Sequence, residues 1–316
     1  MPRPDRSRRS CLAVPGSSPR FLRKAQDLAA DEVFLDLEDA VAPGAKGDAR
    51  RDVVAALVTG DWRGKVRAVR INDVTTPWAY RDVIELAEGA GRHLDVIVLP
   101  KVSGPEQVSW LDLLLGQIEQ ATGLPEGQIG IEAQIEDARG LAAVDVIAAA
   151  SPRLEALVFG PADFMASVGM RSLEIGAQPA GYAGGDAFHY PHMRILVAAR
   201  AHGLQAIDGP YAAIHDANGL ARAAASVAAL GFDGKWVLHP GQIETVNAAF
   251  SPGQPEYDRA ELILEAYQHY TTVEKRGAAM LDGEMIDEAS RKLAMVAAAR
   301  GRAAGLERTQ RFEPPG

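Results

Sequence analysis

Between residues 129 and 164 the chain reads IGIEAQIEDARGLAAVDVIAAASPRLEALVFGPADF, and two of its carboxylates are spaced for joint chemistry. The pattern predicts a strand ending at Glu136, a helix, and a second strand ending near Asp163. Carboxylates at neighbouring strand ends of a parallel barrel converge at its mouth, where together they suit one hard divalent cation. Mg²⁺ or Mn²⁺ fits best, since both prefer oxygen ligands and keep positions open for a substrate. Glu132 and Asp137 are equally visible carboxylates. Glu132 falls within the strand, Glu136 at its mouth, and Asp137 at the start of the following loop, where it is the alternative to Glu136.

Other chemistry-bearing residues follow other predicted strands. In chain order they are the Pro15-Gly16-Ser17-Ser18 turn, Glu38 and Asp39, Arg70 and Asn72, Lys101, the pair Glu136 and Asp163, Asp208, and His239. The loop PGSSPRFLRKA places Ser17 or Ser18 as a helix cap and Pro19 at the first helical position. Arg20, Arg23 and Lys24 then occupy the first two turns, so the loop reads either as a phosphate site or as a capped helix with a solvated basic face. The long Gly-rich segment MASVGMRSLEIGAQPAGYAGGDAFHYPHMRIL is of lid or binding-loop length. It holds His189 and His192, but without a Cys cluster or an H-E-x-x-H string it is not a zinc site. On spacing alone Asp287 is a helix cap.

Eight short β-rich runs can position these residues: 11–14, 33–37, 66–71, 95–99, 130–135, 156–159, 205–208 and 235–238. Ala- and Leu-rich segments with helical spacing separate them, such as 105–121 and 141–150. Near-continuous apolar strands alternating with helices predict an α/β fold, a (β/α)₈ TIM barrel, whose strand ends line the catalytic face. A doubly wound open sheet is the competitor, and the absence of G-x-G-x-x-G after the first run weakens its dinucleotide-binding form. The barrel is expected over residues 1–252. Residues 253–316 form a helical C-terminal extension: a long helix, a short apolar run, a D-G turn, another helix from about Asp287, and a frayed tail.

A net charge of −9 argues against nucleic acid as a partner but leaves room for a polyanionic small ligand at a local basic cluster. No apolar run reaches membrane-spanning length, and the basic start MPRPDRSRRS lacks the apolar region of a secretion signal. The single Cys11 forms no internal disulfide, which suits a reducing cytoplasm.

The strings VPGSSPRFLRKA, VFLDLEDAV, VRIN, VLPKV, QIEDARGL, FGPADF, AIDGPY, WVLHPGQIE and MLDGEMID run in order from about residue 11 to about 290. Together they resemble the citrate lyase β-subunit-like and malyl-CoA lyase family, within the HpcH/HpaI aldolase-type superfamily. The insertion IGAQPAGYAGGDAFHY looks more like malyl-CoA and β-methylmalyl-CoA lyases, although Phe188-His189 replaces that family's usual Trp–His pair. The resemblance implies a Mg²⁺-dependent carbon–carbon lyase acting on acyl-CoA thioesters, in a homotrimer or homohexamer. By its motifs, Glu136 and Asp163 fall on the metal ligands and Arg70 on the active-site arginine. Asp287 falls on an acid/base that reaches a neighbouring subunit's site, with Asp282 the alternative in the same string. Glu38, Asp39 and Lys101 fall on further active-site positions, and Arg20 and Lys24 on the CoA phosphate site. The expected reaction is reversible retro-Claisen cleavage of a malyl-CoA-like substrate to glyoxylate, or a related oxo acid, and acetyl- or propionyl-CoA. A malyl-CoA thioesterase, a non-catalytic CoA-binding subunit and a CoA-independent pyruvate aldolase are the alternatives.

Overall fold

The eight apolar runs pair in chain order and close on themselves, so that no strand edge is left open. The computed structural model describes residues 6–314; the outermost residues of the basic start and of the tail lie outside them. The strands are β1 (Ser10–Pro15), β2 (Glu32–Asp36), β3 (Val66–Arg70), β4 (Val96–Leu99), β5 (Gly130–Ile135), β6 (Leu154–Phe159), β7 (Gln205–Asp208) and β8 (Gly234–Val237). Every neighbouring pair is parallel, including β1 with β8, which makes this a (β/α)₈ barrel.

The two-residue period of a strand sorts the side chains. Cys11, Phe34, Ala68, Val98, Val158, Ile207 and Trp236 meet inside the barrel. Leu12, Leu35, Val69, Ile97, Leu157 and Phe159, one residue out of phase, pack outward against the helices. Burying each of the larger ones contributes about 1.5–3 kcal/mol. Among the helices that cover the strands are α1 (Pro19–Ala25), α2 (Lys46–Thr59), α3 (Ala79–Ala90) and α4 (Pro105–Thr122). The segment expected as one helix over 141–150 is two short ones, α5 (Ala138–Ala142) and α6 (Val144–Ala148). Strand β6 stops at Phe159, because Pro161 starts a helix at its first turn; α7 (Pro161–Ser167) therefore carries Asp163, which is not a strand-end residue. After an irregular stretch come α8 (His189–Ala201), α9 (Ala217–Leu230) and α10 (Ile243–Ala249).

The N-terminal end of the barrel is closed by charge. Arg8, 2% exposed, donates from Nε to Glu32 (2.9 Å) and Glu132 (2.6 Å) and from Nη2 to Glu155 (2.5 Å). Burial, reinforced by the Glu132 charge, pushes the Glu32 carboxyl well up. Glu132 is thus committed to a structural network at the far end of β5 from Glu136.

The chain divides into two compact units between Phe250 and Ser251. In the second, α11 (Gln254–Thr272) packs on α12 (Glu288–Ala303) through Tyr257, Ala260, Ala294 and Ala298. The expected D-G turn joins a small antiparallel hairpin, β9 (Ala279–Leu281) and β10 (Glu284–Ile286). Asp282 (φ +51°) and Gly283 (φ +84°) supply the left-handed pair that such a tight turn requires. The tail is tied down rather than frayed: the Thr309 N–H donates to Asp258 (2.9 Å) and the Phe312 N–H to Glu265 (3.0 Å). Among the described residues no helix is long and apolar enough to cross a membrane.

Candidate active site

The C-terminal mouth of the barrel is built from last strand residues and the loops that follow them. Asp36 ends β2 and Arg70 ends β3, and the register sets them side by side. Each lies two residues beyond an inward residue, Phe34 or Ala68, so both point into the barrel. Arg70 donates from Nε to Asp36 Oδ1 (2.8 Å) and from Nη2 to Oδ2 (2.6 Å), a bidentate pair that fixes the guanidinium plane. Its remaining corner, Nη1, lies 3.0 Å from Glu38 Oε2 and 4.0 Å from Asp39 Oδ2. The guanidinium also sits over the Trp236 ring, 5.5 Å from its centroid. Burial acts to raise the Asp36 carboxyl, but the Arg70 bonds hold it below the usual range.

Glu38, 5% exposed, is shared between Arg70 and the Lys101 ammonium. Burial is the main cause that raises its carboxyl, against the pull of both cations. Lys46 donates to the Leu37 and Glu38 carbonyls (2.8 and 2.7 Å), which anchors the loop that carries Glu38 and the exposed Asp39.

Glu136 follows β5 and is 4% exposed. The Lys101 N–H donates to its Oε1 (2.7 Å) and Gln134 Nε2 to its Oε2 (2.6 Å). Burial, and then the charges of Asp163 and Glu38, push this carboxyl up to about 8, against the Lys101 N–H and the Arg70 charge. Gly160 makes the approach possible: a Cβ there would lie 2.4 Å from Glu136 Cβ and 2.6 Å from its Oε2. Asp163, half-exposed in the first turn of α7, places Oδ2 3.6 Å from Lys101 Nζ. Glu136 and Asp163 offer oxygen donors only, and the Asp163 and Glu38 charges, which after burial help to raise the Glu136 carboxyl, would be neutralised by a cation. Among the described residues no group of three or more His, Cys, Asp or Glu is arranged to hold a metal ion by itself. The donor set therefore fits a cation such as Mg²⁺, which takes one or two carboxylates and leaves its other positions to water and substrate.

The structure thus brings together Glu38, Asp39, Arg70, Lys101, Glu136 and Asp163. Other expected residues stand elsewhere. Asp137 caps α5, accepting from the Gly140 N–H. Asn72 bonds Asp82 through Nδ2 (2.7 Å), and His239 Nδ1 accepts from the Gly241 N–H (3.1 Å). Asp208, one residue out of phase with inward Ile207, faces outward, where it pairs with His192 Nε2 (3.0 Å) and Lys235 Nζ (2.5 Å). These three residues help line a cavity of about 380 Å³, together with Gly176, Gln178 and Asp186 of the long loop. Arg20 and Lys24 are exposed on α1, whose N-cap position is Ser18, although the Ser18 side chain makes no capping bond.

In the second unit Asp287 does cap α12. Its Oδ1 accepts from the Ala289 N–H (2.9 Å), the Ser290 N–H (3.0 Å) and the Ser290 hydroxyl (3.2 Å), and these bonds lower its carboxyl from the usual value. Asp282 is exposed and pairs with Arg259 Nη1 (2.6 Å). Two residues of the mouth escaped sequence reasoning, Asp36 and Gln134. Each shares the inward phase of its strand, with Phe34 and Glu136 respectively, and that i, i+2 relation was the available signal.

Comparison with known proteins follows the same lines. Residues 9–240 match the family model described as HpcH/HpaI aldolase/citrate lyase. An L-malyl-CoA/beta-methylmalyl-CoA lyase of Cereibacter sphaeroides is 40% identical over 303 residues, 93% of this chain and 95% of that protein. A (3S)-malyl-CoA thioesterase of the same species is 35% identical, covering 88% of this chain and 89% of that one. Protein CitE from Mycobacterium tuberculosis, solved in complex with magnesium, acetoacetate and coenzyme A, is 30% identical with a TM-score of 0.73, covering 94% of this chain and 98% of that one. On the match to most of its length and a barrel mouth of this composition, the chain belongs to the HpcH/HpaI aldolase/citrate lyase family and is an enzyme of the carbon–carbon lyase class.

Proposed function

We propose that this chain is a Mg²⁺-dependent lyase that reversibly cleaves a malyl-CoA-like β-hydroxyacyl-CoA to glyoxylate, or a related oxo acid, and acetyl- or propionyl-CoA. The observation that carries the reading is the barrel mouth, where a clamped arginine faces the oxygen pair of Glu136 and Asp163. The 40% identity to a malyl-CoA/beta-methylmalyl-CoA lyase supports it. Glu136 and Asp163 would hold the ion. Bound there, a divalent cation supplies Lewis acidity that lowers the pKa of a substrate hydroxyl and orients the oxo-acid portion.

The protein's own residues do the rest. In cleavage the substrate hydroxyl gives up its proton to solvent water, its electron pair forms the new carbonyl, and the carbon–carbon bond breaks toward the thioester. Arg70 stabilises the negative charge that grows on the thioester oxygen. Asp36 already holds the guanidinium in place, so little reorganisation is needed at that moment. Asp287 delivers a proton to the enolate carbon, or removes it in condensation; the N–H groups on its Oδ1 favour the ionised form that removal requires. Arg20 and Lys24 meet the CoA phosphates. Asp287 acts in a neighbouring copy's site, which makes the working enzyme a homotrimer or homohexamer in the cytoplasm. In this reading residues 1–252 carry the metal and acyl-CoA site, and residues 253–316 complete it in the neighbour.

A second reading, hydrolysis of malyl-CoA, is favoured by the 35% identity to a (3S)-malyl-CoA thioesterase. Product analysis separates the two. Malyl-CoA incubated with enzyme and Mg²⁺ should give acetyl-CoA and a phenylhydrazine-trappable aldehyde. Free malate and free CoA without aldehyde would establish the hydrolase and overturn the lyase.

A further inference from the structure

Lys101 follows β4 with φ +52°, a left-handed conformation that non-glycine residues seldom adopt. This backbone lets a single residue address both carboxylates of the oxygen pair by separate means. Its N–H donates to Glu136 Oε1 (2.7 Å), while its ammonium lies 3.6 Å from Asp163 Oδ2. The same ammonium bonds Glu38 and stands 3.6 Å from Asp39 Oδ1. A positive charge therefore already occupies the acidic cup that a divalent cation would enter.

We propose that Lys101 is a resident counter-ion of the cation site: its ammonium balances Asp163, Glu38 and Asp39 in the cation-free protein and competes with the divalent ion for Asp163. This rests on the reading that Glu136 and Asp163 hold the ion. When the ion enters, Lys101 gives up Asp163 and keeps Glu38 and Asp39 as partners. The Glu136 orientation survives this change, because it depends on the Lys101 backbone N–H and on Gln134. Lys101 is thus a positioning residue that sets the affinity and selectivity of the site, since a singly charged side chain opposes a cation that cannot outbid it for carboxylate.

Variants separate charge from architecture. Lys101→Met removes the ammonium and keeps the N–H. Lys101→Gly does the same and suits the positive φ, which guards against misfolding. Lys101→Arg keeps the charge. Calorimetric titration of the EDTA-stripped full chain with MgCl₂ should show Lys101→Met and Lys101→Gly binding about tenfold tighter than wild type, the scale of ammonium–Mg²⁺ repulsion at roughly 5 Å even in water. Lys101→Arg should bind as wild type does. Without metal, Lys101→Met should melt below wild type, and MgCl₂ should raise its melting temperature by more. A merely structural role predicts the opposite, weaker Mg²⁺ binding in Lys101→Met. Unchanged or weaker binding there overturns the proposal while the cation reading stands. Absence of Mg²⁺ uptake by all of these proteins overturns both.

Discussion

Replacing Glu136 by Gln removes a buried carboxyl whose proton is held up to about 8, against an ordinary value of 4.5. The folded chain keeps this proton between those values and the unfolded chain releases it. The unfolded state therefore binds fewer protons across that window, and stability falls as pH rises through it, by about 1.4 kcal/mol per pH unit. The gap of about 3.5 units corresponds to roughly 5 kcal/mol by pH 8, with relaxation around the site reducing it to about 3–5 kcal/mol. Glu136→Gln carries no such dependence. Its carbonyl can still accept from the Lys101 N–H, and the Gln134 amide can turn its own oxygen, which lacks a partner, toward the new NH₂ group. Urea denaturation in EDTA at pH 5, 6, 7 and 8 should give nearly equal stabilities for the two proteins at pH 5. The variant should then become progressively more stable than wild type toward pH 8. For wild type, cation binding must expel the proton, so apparent Mg²⁺ affinity should rise about tenfold per pH unit below 8. Parallel pH dependences of the two proteins would refute the reasoning.

Three other outcomes follow from the geometry. Arg8→Met leaves Glu32, Glu132 and Glu155 buried without their shared cation, so urea denaturation at pH 7 should show a loss of about 3–5 kcal/mol; a loss under about 1 kcal/mol would contradict that network. Gly160→Ala drives a methyl into Glu136 Cβ, so Mg²⁺ affinity by calorimetry should fall by about tenfold or more while the circular dichroism spectrum is kept. Asp287→Asn should cost about 10²–10⁴ in kcat. Its melting temperature should barely move, because Asn caps a helix about as well as Asp; full activity would remove Asp287 from the reaction.

The barrel was legible because its strands are short, largely apolar runs and its helices are punctuated by Gly and Pro. All eight runs lie within a residue or two of the observed strands. The candidate site was legible where charged residues close or follow a strand, as at Arg70 on the last residue of β3 and at Glu38, Lys101 and Glu136 just beyond theirs. What sequence could not supply was phase and pairing. Asp208 follows the same strand-end rule yet points outward to His192, because only closure of the barrel decides which alternate residues face in. Asp36 and Gln134 lie inside their β-rich runs, and only the register beside Arg70 and the contact with Glu136 reveal them as part of the mouth. Pro161, which favours a first helical turn, is the sequence signal that puts Asp163 in a helix rather than at a strand end.

Condensation tests the central claim most directly. Purified chain, glyoxylate and acetyl-CoA or propionyl-CoA should yield, with Mg²⁺, a new β-hydroxyacyl-CoA whose mass equals the sum of the two reactants. EDTA should abolish its formation and excess Mg²⁺ restore it. No condensation product with any short acyl-CoA, under conditions where the protein is folded and binds Mg²⁺, would contradict the account.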